Sequence, residues 1–146
     1  MTEQGTEQGT EFRVNGARLI GDMSGAVYWP ATGALIVADL HLEKASAYAT
    51  RGVALPPYDT AETLNRLEAC LERFAPRLLV SLGDSFHDIG WQERMAEPDA
   101  ARLVSLSRQI ETVWVLGNHD PAPPPGLDGA ACERLDRSAD GSLHFR

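Results

Sequence analysis

Three short apolar runs, each ending in polar side chains that can bind metal ions, constrain this chain more than any other feature. The runs cover residues 34–38, 77–82 and 112–116. Asp39-Leu40-His41 follows the first run, Gly83-Asp84 the second and Gly117-Asn118-His119-Asp120 the third. Almost wholly apolar runs of this length are typical of strands that are covered on both faces. In an open α/β sheet ligands bind at the carboxyl ends of parallel strands, so the three sets of polar groups are predicted to meet at one edge.

Two amphipathic helices are predicted between these strands. Asp59 or Thr60 can cap the first helix, and Pro76 ends it before the second apolar run. Asp99 is predicted to cap the second helix. Apolar residues recur at helical spacing in both, at Leu64, Leu67, Leu71 and Phe74 and then at Leu103, Leu106 and Ile110. Alternating strands and helices of these lengths predict a layered α/β domain with a largely parallel core and an antiparallel start.

The chain is predicted to hold one domain, at residues 12–146, after a disordered tail at residues 1–11. The tail repeats Thr-Glu-Gln-Gly in tandem and offers no apolar residue after Met1 to a core. Residues 12–30 predict two short strands joined by a turn at 21–25, and residues 43–50 predict a short helix. Residues 142–146 predict one more strand.

Composition excludes some classes of protein. With 43% hydrophobic and 23% charged residues the chain has the composition of a globular protein, and no apolar run approaches the length that spans a bilayer. Cys70 and Cys132 form no C-x-x-C motif and are expected to be reduced thiols of a cytoplasmic protein. The net charge of −8 argues against binding nucleic acid through bulk electrostatics, so metal ions would have to attract a phosphodiester.

The residue types at the strand ends suit hydrolytic metal chemistry. A carboxylate and an imidazole, as in Asp39 and His41, favour Mn²⁺, Fe or Zn²⁺ over Ca²⁺ or Mg²⁺ alone. Asp84 follows a glycine that permits a sharp turn, and one carboxylate can bridge two cations held about 3.5–4 Å apart. Asn118 offers a neutral oxygen ligand, which leaves His119 to face a substrate and Asp120 to orient that imidazole. Each motif alone is common as a helix cap or turn, but all three in this order predict a site for two metal ions.

The order of these motifs resembles the calcineurin-like metallophosphoesterase superfamily. Its pattern runs D-x-H, G-D-x-x-D and G-N-H-D/E, followed by two later motifs that contain histidine, and the resemblance covers residues 34–120. It implies the layered α/β sandwich with mixed sheets of that superfamily. It also implies that Asp39 and His41 bind the first metal, that Asp84 bridges, and that Asn118 binds the second. His119 would stabilise the transition state or protonate the leaving oxygen, with Asp120 positioning it.

Longer strings at residues 38–44, 51–60 and 83–88 are similar to a narrower branch, the ligase-associated DNA-damage-response endonucleases (PdeM type). This similarity implies hydrolysis of DNA phosphodiesters by a water that two divalent metal ions activate. Mn²⁺ is the expected metal, with Fe or Zn²⁺ as alternatives. A DNA ligase and a helicase are the implied partners, and no membrane association is expected.

The chain departs from the superfamily pattern in two places. His87 stands where the pattern has the second Asp of G-D-x-x-D, and Asp88 is next to it. One of these two residues is expected to contact His119 and hold it in place without binding a metal ion. The sequence leaves open which of the two does so. The two later motifs are absent, because His144 is the only histidine after Asp120, and it is expected to be a strand residue. We therefore expect a C-terminally truncated enzyme that holds its metals weakly and has little or no activity.

Two alternatives compete with this prediction, and the sequence favours the first of them over the second. The missing motifs favour a truncated, non-catalytic phosphoesterase-like module that binds a partner or a single cation. A nucleotide-binding α/β domain would need G-x-G-x-x-G or G-x-x-x-x-G-K-S/T, and neither occurs.

Overall fold

The computed structural model describes residues 9–38, 40, 42, 59–83, 85, 94–116, 127–132, 135–137 and 143–145. Residues 59, 135–137 and 143–145 are described by their backbone alone. The predicted helix at 43–50 lies outside the described residues.

A seven-stranded mixed sheet forms the centre of the protein, with its strands in chain order from edge to edge. The strands are β1 (Thr10–Val14), β2 (Ala17–Gly21), β3 (Val27–Trp29), β4 (Ala34–Val37), β5 (Leu78–Leu82), β6 (Glu111–Val115) and β7 (Ala130–Cys132). The first four pair antiparallel, and β4 through β7 pair parallel. The predicted α/β architecture with an antiparallel start is therefore confirmed.

Within the described ranges, two helices connect the parallel strands and pack against each other. They are α1 (Asp59–Phe74), between β4 and β5, and α2 (Glu97–Gln109), between β5 and β6. One core cluster joins Leu35 and Leu79 of the sheet to Leu67 of α1 and Leu106 of α2. Both helices thus cover one face of the sheet, and the predicted apolar stripes supply their buried sides.

The other face of the sheet carries a second set of apolar side chains. These are Trp29, Ala34, Leu78, Val80, Val113 and Cys132, all buried. Successive residues of a strand point to opposite faces, and so β5 sends Leu79 toward the helices and Val80 away from them. Burial on both faces explains why the central strands read as continuous apolar runs.

The start of α2 corrects one prediction. Asp99 lies in the first turn of the helix, and the N-cap is Ala96, which makes no side-chain capping hydrogen bond. Pro98 occupies the first turn, where the missing N–H of proline has no helical partner to lose. Asp99 still opposes the positive end of the helix dipole, but it is not the cap.

The N-terminal region forms three strands where two were predicted. β1 and β2 make a hairpin around Asn15-Gly16, whose φ angles are +47° and +80°. Asn-Gly with positive φ at both positions matches the twist of a two-residue hairpin. Pairing extends to Thr10 opposite Gly21, so the predicted tail at 1–11 overlaps β1 at Thr10 and Glu11. Residues 1–8 lie outside the described residues.

A separate two-stranded sheet pairs β8 (Leu135–Arg137) with β9 (Leu143–Phe145). This confirms a strand near the end of the chain, and His144 is part of it, opposite Asp136. Among the described residues, neither helix has the length and apolar character needed to cross a membrane.

Candidate metal centre

The three apolar runs become adjacent parallel strands that end level with one another. Val37 of β4 lies opposite Ser81 of β5, and Ser81 lies opposite Trp114 of β6. Because the strands are parallel, the polar motifs that follow them in the sequence leave the sheet at the same edge. We call this edge, where β4, β5 and β6 end, the carboxyl edge.

The predicted site residues themselves lie outside the described residues. They are Asp39, His41, Asp84, His87, Asp88, Asn118, His119 and Asp120. Their assignment to metal ions and to catalysis therefore stays a prediction. Among the residues that the structure does describe, no three His, Cys, Asp or Glu side chains group together as metal ligands would.

The segments that follow β4 and β5 are joined beyond the ends of the strands. The backbone N–H of Leu42 donates a hydrogen bond to the carbonyl of Ser85, with 2.9 Å between nitrogen and oxygen. The Leu42 side chain is buried in the cluster of Leu64, Met95 and Trp114. Pairing thus resumes just after the positions of the first two motifs, which limits how far these two segments can separate.

Leu40 anchors the first motif. It stands between the two predicted ligands Asp39 and His41, and its half-buried side chain packs against both core clusters on the helix side of the sheet. An apolar residue fixed in the core between two polar ones gives the segment a defined orientation, as a metal site requires.

Gly83 and Ser85 flank Asp84 and fix the backbone of the second motif. Gly83 has a φ of +86°, which confirms the sharp turn predicted after β5 and suits glycine best. Ser85 is fully buried, and its hydroxyl forms a hydrogen bond of 2.6 Å with the hydroxyl of Ser81. Buried hydroxyls without partners are costly, so this pair favours one arrangement of the turn.

β6 is held firmly up to the third motif. The N–H of Leu116 donates to the carbonyl of Cys132 at 2.9 Å and extends the pairing of β6 with β7. The indole N–H of Trp114 donates to the carbonyl of Asp128 at 3.2 Å. Gly129 makes this approach possible, because a Cβ on it would lie 2.6 Å from the carbonyl oxygen of Thr112. The backbone before Asn118 is therefore anchored on a buried strand.

An ion pair between a buried carboxylate and an exposed arginine lies near the carboxyl edge and was not predicted. Asp22, in the turn between β2 and β3, is 5% exposed and pairs with Arg73 of α1 at 2.9 Å. Burial alone would raise the pKa of Asp22, but hydrogen bonds from Ser24, the charge of Arg73 and the Cys70 thiol together hold it below its ordinary value. The local signal was Asp22-x-Ser24, an Asp that accepts the N–H two residues on, at 3.0 Å.

The comparisons with known proteins agree with this arrangement of strands. The family model described as calcineurin-like phosphoesterase matches residues 34–143. The chain belongs to this family. Phosphoesterases of this family act with divalent metal ions, in agreement with the prediction of a divalent metal cofactor. Among curated proteins, none matches the chain.

A solved structure shares the fold. The crystal structure of Pseudomonas putida nuclease MPE matches with a TM-score of 0.65 and 30% sequence identity. The match covers 84% of this chain and 58% of the nuclease chain, so the present chain spans less than two thirds of the length of that protein.

The donor types that follow these strands in the sequence fit divalent metal ions. Carboxylate, imidazole and amide side chains follow three adjacent strands that end level, and their anchoring neighbours are buried or hydrogen-bonded. Oxygen and nitrogen donors of this kind suit Mn²⁺, Fe and Zn²⁺.

Proposed function

We propose that this protein is a metal-dependent phosphodiesterase that hydrolyses DNA. In this proposal two divalent cations, Mn²⁺ by preference, occupy the carboxyl edge. The observation that supports it is that β4, β5 and β6 end level with one another. A backbone hydrogen bond between Leu42 and Ser85 joins the chain segments that follow β4 and β5. Membership of the phosphoesterase family supports the reaction class, and the nuclease neighbour supports a phosphodiester substrate.

Each predicted residue has one role in the proposal. Asp39 and His41 would hold one cation, Asn118 would hold the other, and the Asp84 carboxylate would be shared by both. When bound, such cations activate a water molecule and neutralise charge on the phosphoryl oxygens.

Two further residues would assist the departure of the leaving group. His119 donates a proton to the leaving oxygen or stabilises the charge of the transition state. Asp120 orients the imidazole and raises its basicity. His87 or Asp88 contacts His119 and helps to hold it in place without binding a metal ion.

The narrower assignment rests on sequence strings. Residues 38–44, 51–60 and 83–88 are similar to the ligase-associated endonuclease branch, and on that basis a DNA ligase and a helicase are the proposed partners. DNA specificity, manganese and both partners belong to this proposal.

Metal binding tests the proposal most directly. Isothermal titration of the chain with Mn²⁺ is compared with Asp84→Asn and with Asp128→Asn, which makes the same change at an exposed residue beside the opposite end of the sheet. We expect Asp84→Asn to weaken binding by more than about tenfold, since even residues behind metal ligands cost about 10–100-fold. Asp128→Asn should match the parent chain. Equal binding by all three chains, or no binding by any, would contradict the proposal.

Hydrolysis separates the enzyme from its alternative. A non-catalytic module that binds a cation is the second candidate. Mn²⁺-dependent cleavage of bis-p-nitrophenyl phosphate, lost in Asp84→Asn and retained in Asp128→Asn, supports the enzyme. Mn²⁺ binding that depends on Asp84, without cleavage by this chain or by a longer form of it that includes a Gly-His-x-His motif, supports the module.

A further inference from the structure

A cavity of about 220 Å³ lies beside the exit of β4, between the β2–β3 turn and α1. Ala38 and Leu40 line it, and they are the two residues on either side of the predicted ligand Asp39. Ser24 lines it from the turn, and Thr63 and Arg66 line it from the helix. The cavity is therefore next to the proposed metal centre but consists of other residues.

The geometry of α1 places polar side chains at the height of the carboxyl edge. The helix has 16 residues, about 24 Å at 1.5 Å per residue, whereas β4 has four residues, about 13 Å. Cys70 and Leu67 pack in the same cluster as Val37, the last residue of β4. The helix runs opposite to the strand, and so Thr63 and Arg66, which precede Leu67, lie at or beyond the edge of the sheet.

The guanidinium of Arg66 can donate further hydrogen bonds at the cavity. Its Nε donates to Glu62 one helical turn earlier at 3.2 Å, and its side chain is 69% exposed. Within the described part of the chain, its two terminal nitrogens make no hydrogen bond. A guanidinium with these nitrogens accessible can bind two oxygens of a phosphate at once.

Two hydroxyl side chains, Thr63 and Ser24, line the cavity together with Arg66, and the rest of its described lining is small or apolar. Thr63 lies three residues before Arg66, on the same side of the helix, so the hydroxyl and the guanidinium can face one ligand. Among the residues that the structure describes, no aromatic ring lines the cavity, which disfavours a stacked base. In a chain with a net charge of −8, a cation at this position gives a polyanion a local point of attachment.

We propose that Arg66, with Thr63 beside it, binds the phosphate next to the scissile one in a DNA strand. This inference rests on the proposed function and deepens it. The cavity is a subsite that a polynucleotide occupies and that a simple phosphodiester without a second phosphate does not reach. Arg66 is thus a positioning residue that selects polymeric substrates.

The test compares Arg66→Gln with Arg108→Gln. Arg108 is 70% exposed, near the end of α2 and beside the opposite edge of the sheet, so both variants remove one exposed guanidinium. The probe is a fluorescein-labelled oligothymidylate of about 20 nucleotides, titrated by fluorescence anisotropy with Mn²⁺ at several salt concentrations and checked for intactness. Mn²⁺ titration and thermal unfolding of each variant check the metal site and the fold.

We expect Arg66→Gln to weaken oligonucleotide binding about fivefold to tenfold, as for loss of one charge-assisted contact. The slope of log K against log salt should fall by about 0.7, the value for one phosphate of a single strand. Mn²⁺ affinity should not change, and Arg108→Gln should bind like the parent chain.

Three results would overturn the inference. Unchanged binding by Arg66→Gln would exclude the contact, and equal losses in both arginine variants would indicate bulk charge alone. In both cases intact, Asp84-dependent Mn²⁺ binding leaves the proposed function standing. A parent chain that binds no Mn²⁺ would instead remove the proposed function, and the subsite would fall with it.

Discussion

The hydroxyl groups of Ser81 and Ser85 lie 2.6 Å apart in a part of the protein that solvent does not reach. Their hydrogen bond joins the C-terminal end of β5 to the residue after Asp84. Ser81→Ala should lower the free energy of unfolding by about 1 kcal/mol, because a buried hydroxyl loses a hydrogen bond. In a double-mutant cycle with Ser85→Ala, the coupling should be about 0.5–2 kcal/mol.

The control for this pair is Ser105→Ala, at an exposed position of α2 where the hydroxyl accepts a surface hydrogen bond from Gln109. Its effect on unfolding in urea should stay within about 0.5 kcal/mol. Additive effects of Ser81→Ala and Ser85→Ala would show that the pair does not stabilise the turn.

Gly83→Ala should affect both stability and metal binding. An Ala at a φ of +86° is strained by about 1–2 kcal/mol, and the strain falls on the turn that carries Asp84. Gly16→Ala is the matched control, because Gly16 has a φ of +80° and open space around it in the β1–β2 hairpin. Both variants should unfold more easily, and only Gly83→Ala should bind Mn²⁺ more weakly. Equal Mn²⁺ affinity in both would contradict a positioning role for the turn.

The Asp22–Arg73 pair should make stability depend on pH. The pKa of Asp22 is lower in the folded protein than its ordinary value, so its stabilising effect is fully present above about pH 3.9. That stabilisation is lost as the pH falls further, through the folded-state pKa. Asp22→Asn should lose about 1–2 kcal/mol at neutral pH and show a flatter acid dependence in urea unfolding. Asp128→Asn, at a carboxylate that is 65% exposed, should keep the acid dependence of the parent chain.

Metal ions should stabilise the fold through His41. By linkage, Mn²⁺ at 100 times its dissociation constant adds about 2.7 kcal/mol, and EDTA should reverse the rise in melting temperature. His41→Ala should lose most of this rise. His144→Ala should retain it, since His144 is a β9 residue opposite Asp136. A loss of the rise in His144→Ala would identify His144 as a ligand.

Glu62 should weaken the binding of nucleic acid at the cavity. It holds the Nε of Arg66 at 3.2 Å and adds a negative charge beside the proposed phosphate subsite. Glu62→Gln should therefore raise oligonucleotide affinity by about twofold to threefold, the scale of an exposed charge. Glu111→Gln, at the exposed start of β6 on the opposite edge, should change the affinity less. Equal gains in both variants would indicate net charge alone.

Local patterns predicted most of the secondary structure because they record burial. The stripe at Leu64 and Leu67 correctly gave α1, and the apolar runs correctly gave β4, β5 and β6. The errors occurred where burial is not the cause. β1 is exposed at every residue and forms through its hairpin with β2, and α2 begins before Pro98 and not at Asp99.

The order of the residues was enough to show which donor groups the chain possesses and that each group follows a strand. The folded structure was needed to show that β4, β5 and β6 are neighbours that end level, that Leu42 meets Ser85, and that a cavity lies beside them. It also brought Asp22 to Cys70, 48 residues further along the chain. Periodicity encodes which face of each element is buried, whereas the pairing of distant strands depends on packing across the whole sheet.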